Sequence, residues 1–120
     1  MIMSFIQVHA VMAEEISLAR ALLRSGDHEL AMRHLERAHV LGQRFIGPHV
    51  MVHGLMLRVA VARREPGAAL GQIARIVLGA IGSAVGVLPI GNTGGSDVSM
   101  FRKMPIPSDL ARLLEGGGDV

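Results

Sequence analysis

The chain has 120 residues, half of them hydrophobic, with no Cys, Trp or Tyr. That leaves room for one core and excludes disulfides, thiol nucleophiles, iron–sulfur clusters and Cys-based zinc fingers, so any metal site must use His, carboxylate, amide or Met. Twelve basic residues, 11 of them Arg, stand against ten acidic ones; they are scattered, and with Phe5, Phe45 and Phe101 as the only aromatics no nucleic-acid surface with a stacking platform is expected.

Residues 2–24 carry a helical stripe of Phe5, His9, Met12, Ile16, Ala19 and Leu23. No basic segment precedes it and Glu14-Glu15 interrupts its apolar run, so no secretion signal is read and a cytoplasmic protein is expected. Ser25-Gly26-Asp27 ends this helix, and Asp27 is placed to cap a second one over 28–45, with the stripe Ala31, Leu35, Ala38, Gly42 and Phe45. Gly47-Pro48 closes the pair, and Pro48 suits the first position of a third helix running to about Arg64. Pro66-Gly67 marks a turn before a fourth helix, about 68–87. Its run from Ile76 to Gly91 is free of charge for 16 residues, but it is short and Gly-rich for a membrane span, which wants about 20. A buried helix, closely packed on its neighbours, is the expectation, and a membrane role is not. Residues 91–107 read as a Gly/Pro-rich loop, Ser108 as the cap of a short helix over 109–115, and 116–120 as a flexible tail.

Strand signals are almost absent. Short connections imply an all-α fold of compact antiparallel helical hairpins, about four helices plus a short C-terminal one, in a single domain over 1–115. Ala21 to Asp27 with Ala31 and Leu35-Glu36-Arg37-Ala38 resembles a tetratricopeptide unit, and 57–78 repeats that rhythm more weakly.

The stretch with chemical content spans the second connection. Glu36 and His39 lie three apart and His49 and His53 four apart, so each pair shares one side of its helix. Folding the helices back at residue 46 sets His39 level with His53, Gln43 with His49, and Glu36 with Met56. These four, Glu36, His39, His49 and His53, form a candidate metal site of three histidines and one glutamate. Zn or Fe suits it best, Mn or Cu is compatible, and an open position would serve a hydrolase or oxygenase acting on a small molecule. One Glu-x-x-His pair is too few for a ferritin-type di-iron centre unless Glu14 or Glu15 contributes. Gln43 is a candidate partner of a ligand, with Met56 beside the site. His9 is expected as a core histidine, and His28 and His34 as solvated. Gln72 and Arg75 share a side of the fourth helix; a surface-facing side is the plainer expectation, and a buried Arg75 would need Glu36, a carbonyl or an anionic ligand. Asn92, Thr93 and Gly94 belong to a loop that could form an anion nest, although an ordered capping turn is the plainer expectation.

Glu36-Arg37-Ala38-His39, Gly71-Gln72 and Pro89-Ile90-Gly91-Asn92-Thr93-Gly94-Gly95-Ser96 together resemble a small bacterial single-domain family of unknown function, whose two motifs are Glu-Arg-Ala-His and Gly-Asn-Thr-Gly. The resemblance covers nearly the whole chain and implies no reaction. The alternative to a metal protein is a tetratricopeptide-like interaction module without catalytic activity. Beyond the metal, a small molecule or peptide and a second copy of the chain are the candidate partners.

Overall fold

The computed structural model describes residues 2–85 and 91–115. It is all-helical: α1 (Ile2–Ser25), α2 (His28–Gly42), α3 (Ile46–Ala62), α4 (Pro66–Val85) and α5 (Ser108–Leu114). The expected 116–120 tail and the 86–90 part of the charge-free run lie outside the described residues.

Local chemistry sets the helix ends. At the end of α1, Gly26 N–H donates to Leu23 O (3.2 Å) and Asp27 N–H to Leu22 O (2.9 Å), with Gly26 at φ 85°, which is the Schellman arrangement. Asp27 then caps α2, its carboxylate accepting from Leu30 N–H at 3.1 Å. Four expected boundaries move. α2 stops at Gly42, three residues short of the expected 45. α3 begins at Ile46, so Pro48 sits two residues inside it; any first-turn N–H lacks a helical partner, so proline is tolerated there. α4 begins at Pro66 itself, where a preset φ suits the first helical residue. α5 is preceded by Pro107, and Ser108 is its first residue rather than its cap.

α1 packs on α2 and α3 on α4, the α2–α3 contact joins the two hairpins, and α5 lies against α1 and α2. The core combines Val8, Met12 and Ala19 of α1, Leu35, Ala38 and Leu41 of α2, Val52, Leu55, Met56 and Val59 of α3, and Leu110 of α5. On α2 the expected stripe is buried at Ala31, Leu35, Ala38 and Gly42, whereas its last member, Phe45, lies beyond the end of the helix and is half-buried. Small residues there let α1 approach closely: a Cβ on Gly42 would stand 2.7 Å from Met12 Sδ.

The stripe of α1 is rotated from expectation. Phe5 is exposed and His9 half-buried, while Val8, Met12, Glu15 and Ala19 turn inward. Glu15 tolerates this position because its carboxylate accepts from Arg37 Nε (2.8 Å) and meets His34 Nδ1 (2.6 Å), while Arg37 Nη2 reaches Asp109 on α5 at 2.5 Å. His34 is thus a partner of Glu15, not a solvated side chain. His9 packs on the Phe5 and Phe45 rings and contacts Phe5 O at 2.9 Å.

The fourth helix also departs from expectation. Among its described residues Gln72 alone is buried, and Val77, Ile81 and Val85 are 56%, 57% and 69% exposed. Among the described residues α3 is its one substantial helical neighbour, so the apolar side chains away from Gln72 and Arg75 cannot all be covered. No helix among the described residues is long and apolar enough to cross a membrane.

Candidate metal centre

His39 on α2 and His49 and His53 on α3 meet around one point. Their Nε2 atoms are 3.0 Å (His39–His49), 3.0 Å (His39–His53) and 3.1 Å (His49–His53) apart, and all three residues are buried. The two α3 histidines share a face because they are one turn apart, and the short 43–45 connection carries His39 opposite them. Burial, followed by the proximity of the other rings, pushes the His39 pKa down to about 3 and that of His49 to about 4. Burial also lowers His53, against the Gln72 hydrogen bond that favours its charged form. All three rings are therefore neutral near pH 7.

The outer nitrogens decide the tautomers. His39 Nδ1 lies 2.7 Å from the carbonyl oxygen of Asn92; a carbonyl only accepts, so Nδ1 carries the proton and Nε2 is bare. His53 Nδ1 lies 2.7 Å from Gln72 Oε1. The amide is oriented by its own Nε2, which donates to Gly94 O at 3.1 Å, so His53 also presents a bare Nε2. Two lone pairs consequently face each other at 3.0 Å with no proton to share. A cation between them turns this repulsion into bonding.

The spacing suits one. Three nitrogens held about 2.0–2.1 Å from a common ion stand about 2.9 Å apart at right angles and about 3.3 Å apart in a tetrahedron, and the observed 3.0–3.1 Å lies between. On one side is a cavity of about 220 Å³, walled by His39, His49 and His53 together with Gln43, Arg75, Leu78, Gly79, Met100, Phe101 and Lys103, among others.

The 91–95 loop forms the outer support. The buried Asn92 side chain donates to Ser99 O (2.8 Å) and Arg102 O (2.7 Å) and accepts from Gly94 N–H (2.9 Å), which fixes the carbonyl that holds His39. Half-buried Thr93 lies between Asn92 and Gly94. Gly94, at φ 79°, presses on the ring itself: a Cβ there would stand 2.5–2.7 Å from three ring atoms of His39. The loop is therefore an ordered turn that seats a histidine.

Other expected residues fall elsewhere. Glu36 is not brought to the histidines. It lines a separate cleft with Met56, Gln72, Ser96 and Asp97, where burial and then Asp97 raise its pKa against the pull of Arg33. Glu36 and His39 are about 60° apart around α2, enough for the two side chains to pass on either side of the wall that Gln72 and the loop build. Met56 is core. Gln43 Oε1 accepts from Gly91 N–H at 3.1 Å, and the partner of His53 is Gln72. Arg75 is held by carbonyls, Gly71 O at 3.1 Å and Val98 O at 2.6 Å. Glu15 is committed to the α1–α2–α5 network and Glu14 is exposed. Sequence reasoning passed over Gly79, whose missing side chain leaves room for His49: a Cβ would lie 3.0 Å from His49 Cε1. A glycine inside a helix costs about 1 kcal/mol, and that is the signal that could have drawn attention to it.

Fold and site together define an all-helical protein with a buried cluster of three histidines at the junction of two helical hairpins. The chain belongs to the family described as "Protein of unknown function (DUF3703)", whose model matches residues 6–114. No curated protein and no solved structure matches it.

Proposed function

We propose that the protein binds one divalent transition metal ion through the Nε2 atoms of His39, His49 and His53 and presents it to a small molecule in the adjoining cavity. The observation that carries this reading is the 3.0 Å approach of two unprotonated nitrogens, His39 Nε2 and His53 Nε2, each committed to its lone pair by a partner on the far side of the ring. Neutral imidazoles suit Zn(II) and Fe(II) best, and Mn(II) and Cu(II) share the donor chemistry. Three protein ligands and an open side are what a metal-dependent hydrolase or oxygenase needs, whereas structural zinc sites are closed by four. Asn92 O and Gln72 Oε1 orient the rings and make them better donors. Glu36 is left out of the ligand set.

Elemental analysis of untagged protein tests the reading. About one equivalent of metal per chain is expected, lost in the His39→Ala/His53→Ala double variant and kept in Glu36→Ala. Equal metal content in wild type and the double variant refutes it.

A further inference from the structure

Given the metal binding proposed above, we infer that the cavity takes a small carboxylate with an apolar body, its carboxylate set between the metal and Arg75. Charge is the first reason. Three neutral imidazoles leave a bound dication uncompensated, and Arg75 and Lys103 add two cations to the same cavity, while no Asp or Glu is among its described lining residues. Asp97, the acidic group whose charge acts on Arg75, lines the other cleft together with Glu36. An anion is what such a cavity lacks.

The second reason is the state of Arg75. Its guanidinium donates to the Gly71 and Val98 carbonyls, both neutral, and its buried Nε has no hydrogen-bond partner among the described residues. A planar donor fork with N–H capacity to spare matches a carboxylate. Shape and lining supply the rest. Leu78, Met100 and Phe101 form an apolar wall, suited to a hydrocarbon or aromatic body. At about 220 Å³ the cavity is smaller than the ~300–1,000 Å³ usual for drug-sized ligands, so the ligand is small.

Untagged protein loaded with cobalt(II) is titrated with benzoate, with benzyl alcohol as the neutral isostere and inorganic phosphate as the anion without an apolar body, and followed by visible d–d absorption. A saturable change with benzoate is expected, with a weaker response to phosphate and none to benzyl alcohol. Arg75→Gln should weaken benzoate at least about tenfold, and Lys103→Gln by a smaller factor, with cobalt affinity within about twofold of wild type in both. Lys103 is exposed, so its variant reports even if Arg75→Gln fails to fold. Cobalt bound with no response to benzoate overturns the inference and leaves the metal reading standing. Equal responses to benzoate and benzyl alcohol, a response to phosphate alone, or undiminished benzoate affinity in the variants overturn it in the same way. Failure to bind cobalt overturns the metal reading itself.

Discussion

Gln72 is the side chain on which the three-histidine cluster depends without belonging to it. It is 1% exposed, accepts from His53 Nδ1–H and donates to Gly94 O. Gln72→Leu keeps its bulk and strips both bonds. Two buried polar groups then lose their partners at about 1–3 kcal/mol each, so the metal-free protein should lose about 2–6 kcal/mol of stability. Released from Gln72, the His53 proton can move to Nε2, where it competes with the metal. Loss of such an orienting partner costs about 10–100-fold in metal affinity, or about 1.4–2.7 kcal/mol. Gln72→Glu separates the two effects: its carboxylate accepts from His53 Nδ1–H but cannot donate to Gly94 O. Metal affinity should return to within about threefold of wild type while stability stays low. Competition for Zn(II) against a chromophoric chelator at pH 7.5, with urea denaturation of the metal-free forms, reads both quantities. Wild-type zinc affinity in Gln72→Leu, or equal weakening in the Leu and Glu variants, would show that Gln72 does not orient His53 for a metal.

Three further outcomes are expected. Gly94→Ala adds about 1–2 kcal/mol of backbone strain at φ 79° and drives a methyl into a His39 ring held at both nitrogens, so zinc affinity should fall at least about tenfold; unchanged chelator competition would contradict the role of the loop. Metal-free protein should lose stability as the pH drops below 6.5: the unfolded His39 takes up a proton there, whereas the folded ring, with its pKa near 3, does not. By pH 5 this single ring costs about 2 kcal/mol, His49 and His53 add in the same direction, and the raised pKa of Glu36 opposes them only in part; a urea midpoint as high at pH 5 as at pH 7.5 would contradict it. Arg37→Ala should cost about 2–3 kcal/mol, less than a fully buried pair because Arg37 is one-third exposed, with metal affinity unchanged; a urea midpoint within error of wild type would show that Glu15 needs only His34.

Features encoded within a few residues were legible in the sequence. Gly26-Asp27 ends one helix and starts the next through bonds that span five residues or fewer, and the α2 stripe needs only its period. His39 could be set level with His53, and His49 one turn away on the same face, because a single short connection separates the two helices. Glu36 could not be placed in this way, because a three-residue spacing leaves open on which side of the Gln72 wall each side chain passes. The orienting partners of the rings, Asn92 O and Gln72 Oε1, lie 53 and 19 residues from their histidines, beyond any local pattern. On α1, two sets of residues had equal helical period, and burial of the set containing Glu15 depends on Arg37 and His34 from another helix. The apolar composition of α4 suggested burial, but burial depends on the number of neighbours, and α4 has one substantial helical neighbour.

One metal ion held by the three Nε2 atoms, with Glu36 apart from it, is the arrangement that the proposed function requires. Anomalous scattering at the edge of whichever metal co-purifies, measured on crystals of untagged protein, tests it most directly. A single strong peak is expected about 2.0–2.2 Å from the Nε2 atoms of His39, His49 and His53, with the Glu36 carboxylate outside the coordination shell. No peak between the three rings, or a peak in which Glu36 replaces one of them, would contradict it.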